Sequence, residues 1–94
     1  MRIEHLQTFA DLVETGSFTR SAVKNGVSQS AVSQQLRVLE KHFGISIIDP
    51  TQKHVRLTSG GQAIYRTAKE ILQSYGRLRF SLSYRSPFKT RAAA

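Results

Sequence analysis

Val27-Ser28-Gln29-Ser30-Ala31-Val32-Ser33-Gln34-Gln35-Leu36 is the stretch from which the fold follows. Ala31, Val32 and Leu36, continued by Leu39 and Phe43, recur at helical intervals, which predicts a helix with one buried stripe. The Ser28 hydroxyl suits its N-cap and Gly44 its end. Upstream, Asn25 and Gly26 break a shorter helix in which Phe18, Ala22 and Val23 point inward, capped by Ser17 or Thr19. Before that, Ile3, Leu6, Phe9, Ala10 and Val13 lie on one face of a first helix that Gly16 ends. Two helices joined by a short glycine-containing turn are the signature of a helix-turn-helix.

Downstream of Gly44, Ile45, Ile47 and Ile48 read as a short strand, residues 49–52 as a polar loop, and Val55, Arg56 and Leu57 as the returning strand of a hairpin wing. Thr58 is the expected cap of a last helix starting at Ser59, and no proline interrupts it before Pro87, so it spans some 25 residues, roughly 38 Å. Ile64, Ala68, Ile71, Tyr75, Leu78 and Leu82 alternate by four and three along it, the spacing for packing against another helix, with a second copy of this chain as the expected partner. The predicted fold is mainly α: a winged helix-turn-helix of three helices and a two-stranded β wing over residues 1–58, a long linker and dimerisation helix over 59–86, and a loose tail over 87–94. Residues 92–94, three alanines, read as a remnant of excision from a longer chain.

Composition narrows what such a fold is for. The 94 residues allow one domain with one modest core. Fourteen Lys and Arg against six Asp and Glu give a net charge of +8, which suits a polyanionic partner. The acidic residues Glu4, Asp11 and Glu14 crowd into the first helix, and none occurs from Gly16 to Val38, so that helix is expected to face away from the anion. The chain has no cysteine, and His5, His42 and His54 lie on separate elements, so neither a thiolate site nor a metal site is expected. It offers no glycine-rich phosphate loop after a strand and no paired carboxylates in a plausible cleft, so catalysis is not expected. No apolar run is long enough for a membrane span, and Met1 leads directly into an amphipathic helix, so a cytoplasmic, unexported protein is expected.

Gln29, Ser30, Ser33, Gln34 and Arg37 fall on one surface of the third helix, where amides and hydroxyls can meet base edges and the cation a phosphate. Taken singly, Gln29 and Gln34 read as solvated surface, Ser28 as a cap, and Arg37 as a partner for Glu40. Their joint placement on the second helix of a helix-turn-helix favours the reading as base contacts. Thr19, Ser28, Arg37, Lys41 and the wing residues Lys53 and His54 are the candidate contacts to the DNA backbone and minor groove.

Phe9, Gly16-Ser17-Phe18-Thr19-Arg20, Ala22, Val27 to Ser33, Leu39-Glu40, Phe43-Gly44, Val55-Arg56-Leu57-Thr58 and Gly61 together resemble the LysR-type transcriptional regulators. The resemblance covers about residues 3 to 75. It implies an N-terminal DNA-binding domain dimerised by antiparallel linker helices, with Gln29, Ser30, Ser33 and Gln34 facing bases of an imperfect palindrome in double-stranded DNA. It also implies that Ser28, Arg37 and Lys53 hold phosphate or minor groove, in a nucleoid-associated bacterial protein. Ser30 stands where the family usually has proline, Ile47-Ile48 where it has leucine-phenylalanine, and Pro50 where it has an arginine that commonly touches the backbone. Such regulators continue into an effector domain that takes a small-molecule co-inducer, and no cofactor is expected in this chain itself. Two other readings fit the pattern: the DNA-binding part of a molybdate-responsive regulator, and a winged-helix module for protein or RNA.

Overall fold

A computed structural model describes residues 1–51 and 54–85. Its helices are α1 (Ile3–Thr15), α2 (Phe18–Asn25), α3 (Gln29–Phe43) and α4 (Ser59–Arg85). Three of them open on the hydroxyl caps expected from sequence. Ser17 Oγ accepts from the Arg20 amide, Ser28 Oγ from the Ala31 amide and Thr58 Oγ1 from the Gly61 amide, each at 3.0 Å. Each bond satisfies an N–H that the helix itself leaves unpaired, worth typically about 1 kcal/mol. Thr19 lies inside α2, so the cap there is Ser17. The turn between α2 and α3 depends on Gly26, whose φ of 66° a residue with a Cβ adopts only at a cost of roughly 1–2 kcal/mol.

Leu6, Phe9, Leu39, Ile47 and Ala68 form the main core, and Leu12, Ala22 and Val32 a second cluster beside it; Leu36 and Ile48 pack against both. Two residues assigned to the interior from their spacing are not there. Val23 is 75% exposed, because α2 turns Ser21 and Ala22 toward α1, where the fully buried Ser21 hydroxyl donates to the Thr8 carbonyl at 2.9 Å. A bulky side chain would separate these two helices. Phe43, the last residue of α3, is 45% exposed and sits edge-on to His42. It borders an apolar groove of about 260 Å³ shared with Met1, Ile64 and Ile71.

The wing is shorter than predicted. Among the described residues its two sides meet in one antiparallel bridge, Ile48 to Leu57, flanked by Asp49 N to Arg56 O at 2.8 Å and Thr58 N to Ile47 O at 2.9 Å. Among the described residues the backbone amides next to the bridge take other acceptors. On one side the Ile47 amide donates instead to Glu40 Oε2 at 2.9 Å; on the other, the Thr51 amide, next in line to face the partner, turns back to Asp49 Oδ1 at 2.9 Å.

α4 runs to Arg85, the last described residue, and among the described residues its backbone lies closest to α1. Ala68 is buried at 1% in the protomer's own core, with Ile64 half-buried against it. Ala68 is therefore not part of a dimer surface, contrary to the heptad reading. The exposed part of that stripe starts at Ile71, which is 43% accessible, and continues through Tyr75, Leu78 and Leu82. Ala68 is thus covered within one chain, and the apolar surface left on α4 lies along the groove beside Phe43 and on the turns from Ile71 onward.

Polar ties hold α1 in place. Asp11, 5% exposed, accepts from Asn25 Nδ2 at 2.9 Å and meets Lys24 Nζ at 3.3 Å. Glu14 Oε2 accepts from Tyr65 Oη at 2.8 Å and from Lys69 Nζ at 2.6 Å. These bonds hold the Glu14 carboxyl below its ordinary value of 4.5, and they raise Lys69. Since the folded value lies below the unfolded one, the contribution of Glu14 is complete above pH 4.5 and fades as acidification passes through the lower folded value. Glu14→Gln is accordingly expected to lower Tm modestly at neutrality and to leave it unchanged well below pH 4.5, which flattens the acid limb of a plot of Tm against pH. An acid limb identical to that of the unaltered protein would exclude this tie.

Candidate nucleic-acid interface

The exposed flank of α3 is built by the same periodicity that buries its opposite side. At about 100° per residue, Gln29, Ser30, Ser33, Gln34, Arg37 and Lys41 fall within an arc of about 140°, while Val32, Leu36 and Leu39 point to the core. Gln29, Ser30, Gln34, Arg37 and Lys41 are exposed and Ser33 is half-buried, so all six positions named from sequence share one side of the helix. Ser28 caps that helix, and its hydroxyl hydrogen stays free of the bond it accepts. The unpaired amides of the first turn give this end a partial positive charge suited to a phosphate.

A contact across the turn was not legible in the sequence. The Gln29 side-chain amide donates to the Thr19 hydroxyl on α2. Thr19 is thereby a support for the first amide of α3. The remaining Nε2 hydrogen and the Oε1 of Gln29 stay available, which is the donor and acceptor pair needed at adenine N7 and N6.

Electrostatics follow from where the acids go. Glu40, the only acidic residue of α3, is turned inward to the Ile47 amide and is no partner for Arg37. Asp11, Glu14 and Glu4 are paired with Lys24, Lys69 and Arg2. Arg20, Arg37 and Lys41 are exposed and form no ion pair among the described residues. On the wing, His54 and Arg56 are exposed, while Lys53 lies outside the described residues. Of the other histidines, His5 accepts from the Arg2 amide at the start of α1 and His42 meets Phe43 edge-on.

Residues 3–62 match the family described as bacterial regulatory helix-turn-helix protein, lysR family. The chain belongs to this family. Among curated relatives, it is 37% identical over 70 residues to the HTH-type transcriptional regulator CrgA of Neisseria meningitidis serogroup B (strain ATCC BAA-335 / MC58), an alignment covering 74% of this chain and 23% of that protein. It is 35% identical over 75 residues to the HTH-type transcriptional regulator CysL of Bacillus subtilis (strain 168), covering 80% and 25%. The chain thus spans about a quarter of the length of these relatives. Among solved structures, the BenM DBD in complex with catB site 1 DNA superposes with a TM-score of 0.81 at 30% identity, covering 90% of this chain and 93% of that one. The CbnR DBD–DNA complex gives 0.77 at 28% identity, covering 90% and 100%. The chain is therefore the helix-turn-helix domain of a LysR-type regulator, and α3 is the second helix of that motif.

Two residues of this LysR-type domain were quoted for the resemblance without a role. Glu40 closes the base of the wing through the Ile47 amide, and Gly61 lets α4 approach the Ile47 carbonyl. Spacing alone carried no signal for either, because both act on the backbone of Ile47, seven and fourteen residues away, which only the fold brings near.

Proposed function

We propose that the chain binds double-stranded DNA in a sequence-dependent way as a homodimer, with α3 of each protomer in the major groove of one half of an imperfect palindrome. The observation that carries this reading is the exposed flank of α3, where amides and hydroxyls stand beside free cations and no acid. The similar BenM and CbnR structures are complexes with DNA, which supports it. The groove beside Phe43 and the exposed turns from Ile71 to Leu82 favour a second copy as the partner of α4.

Gln29 and Ser33 read bases; Gln29→Ala lowers affinity for a selected site by about 1–3 kcal/mol and leaves random duplex unaffected. Arg37 holds phosphate; Arg37→Ala weakens both duplexes alike and reduces the log-log salt slope by about 0.9. Gel retardation of a duplex selected from a randomised pool, with random duplex and single-stranded RNA as competitors, tests this. Equal losses on selected and random duplex for Gln29→Ala, or preferential competition by the RNA, would refute it.

The work of the chain is binding, in keeping with relatives named as transcriptional regulators, and catalysis has no part in it. It acts in the bacterial cytoplasm, at the nucleoid; among the described residues no helix is long and apolar enough to cross a membrane. A small-molecule co-inducer is bound in the part of such regulators that this chain does not span.

A further inference from the structure

We propose that Glu14, Tyr65 and Lys69 form a clamp that sets the angle at which α4 leaves the DNA-binding body, and thereby the separation of half-sites that the dimer accepts. The inference rests on the reading of the chain as a DNA-binding dimer. Two donors one helical turn apart on α4, Tyr65 Oη and Lys69 Nζ, converge on the same carboxylate oxygen near the end of α1. Two bonds from successive turns to one point fix both the tilt of α4 and its rotation about its own axis. The Tyr65 ring also stands edge-on to buried Phe9, with centroids 6.2 Å apart, so the hydroxyl is delivered from a packed position.

Leverage makes the clamp matter. Among the described residues α1 is the helix whose backbone runs closest to α4, and the base of the wing meets only its first turn, so α1 does most to orient it beyond that turn. From Lys69 to Arg85 it projects roughly 24 Å, and a tilt of about 10° there moves the far end by about 4 Å. That is close to the roughly 3.4 Å between successive base pairs. In a dimer joined through the outer turns of α4, each degree at the clamp is passed on to the distance between the two copies of α3. The bonds themselves are exposed and contribute little to stability, so their effect is on geometry.

The test uses the full chain and a half-site duplex selected by that chain, arranged as single copies and as pairs whose separation changes by one base pair at a time. The unaltered protein should favour one separation over its neighbours by about tenfold, and Glu14→Gln should reduce that preference to within about threefold while single-copy affinity stays within about twofold. The exchange Glu14→Lys with Lys69→Glu should restore a sharp preference. A Glu14→Gln profile as sharp as that of the unaltered protein, or a parallel loss on the single copy, overturns the clamp and leaves the DNA-binding reading intact. Failure of the unaltered protein to retard any duplex overturns that reading, and the clamp with it.

Discussion

Gly61→Ala is expected to destabilise the domain by about 3 kcal/mol, the upper part of the range for an added methyl group in a packed interior. A Cβ at this position would lie 2.3 Å from the Ile47 carbonyl oxygen and 3.1 Å from its carbon. The obstacle is backbone, and it is held from three directions: Thr58 donates to that same oxygen, Glu40 accepts from the Ile47 amide, and Ile48 is bridged to Leu57. Relief therefore requires α4 to move off the wing or the wing off α3. Gly60→Ala supplies the control. Its Cβ would meet only the Cδ1 end of Ile45, a side chain 39% exposed and free to swing out, while alanine improves helix propensity by up to about 1 kcal/mol. Thermal melts at matched protein concentration should show Gly61→Ala lowered by about 4–8 °C per kcal/mol and Gly60→Ala nearly unchanged or higher. Equal melting of the two variants would mean that α4 does not press on Ile47 in solution.

Leu78→Glu combined with Leu82→Glu is expected to leave the protomer folded and to abolish the dimer. Both side chains are more than half exposed, at 54% and 51%, and neither belongs to the core, so the protomer loses no packing. Apposed carboxylates would instead be buried without partners at the helix pair, a strongly unfavourable outcome. A monomer must find each half-site independently, so affinity for a two-half-site duplex should fall by about 10²–10⁴, with a much smaller loss on a single half-site. Sedimentation and gel retardation measure the two consequences separately. The neutral pair Leu78→Gln and Leu82→Gln distinguishes loss of apolar contact from charge repulsion between the new carboxylates and DNA. Retention of the dimer in the glutamate variant would transfer the interface elsewhere, with the groove beside Phe43 the next surface to examine.

The places where the sequence misled share a cause. Val23 sits at the right interval to be buried, yet the close approach of α1 and α2 selects the small Ser21 and leaves Val23 outside. The isoleucines after Gly44 carry strand propensity, but the Ile47 amide is taken by Glu40 and the Thr51 amide by the Asp49 side chain, so among the described residues the two sides meet in a single bridge. Ala68 fits a heptad and is buried in its own domain, because periodicity says which residues share a face and not which neighbour covers it.

Residue order by itself determined the helices, their hydroxyl caps, the glycine turn and the polar flank of α3, since each depends on residues within about four positions of one another, the range over which a helix organises its own side chains and ends. Only the tertiary structure decided that Thr19 supports Gln29, that Glu40 and Gly61 serve the Ile47 backbone, and that Tyr65 and Lys69 reach Glu14 across some fifty residues. Such contacts depend on how two elements come to rest against each other, and that is set by the summed packing of the core, which no local pattern records.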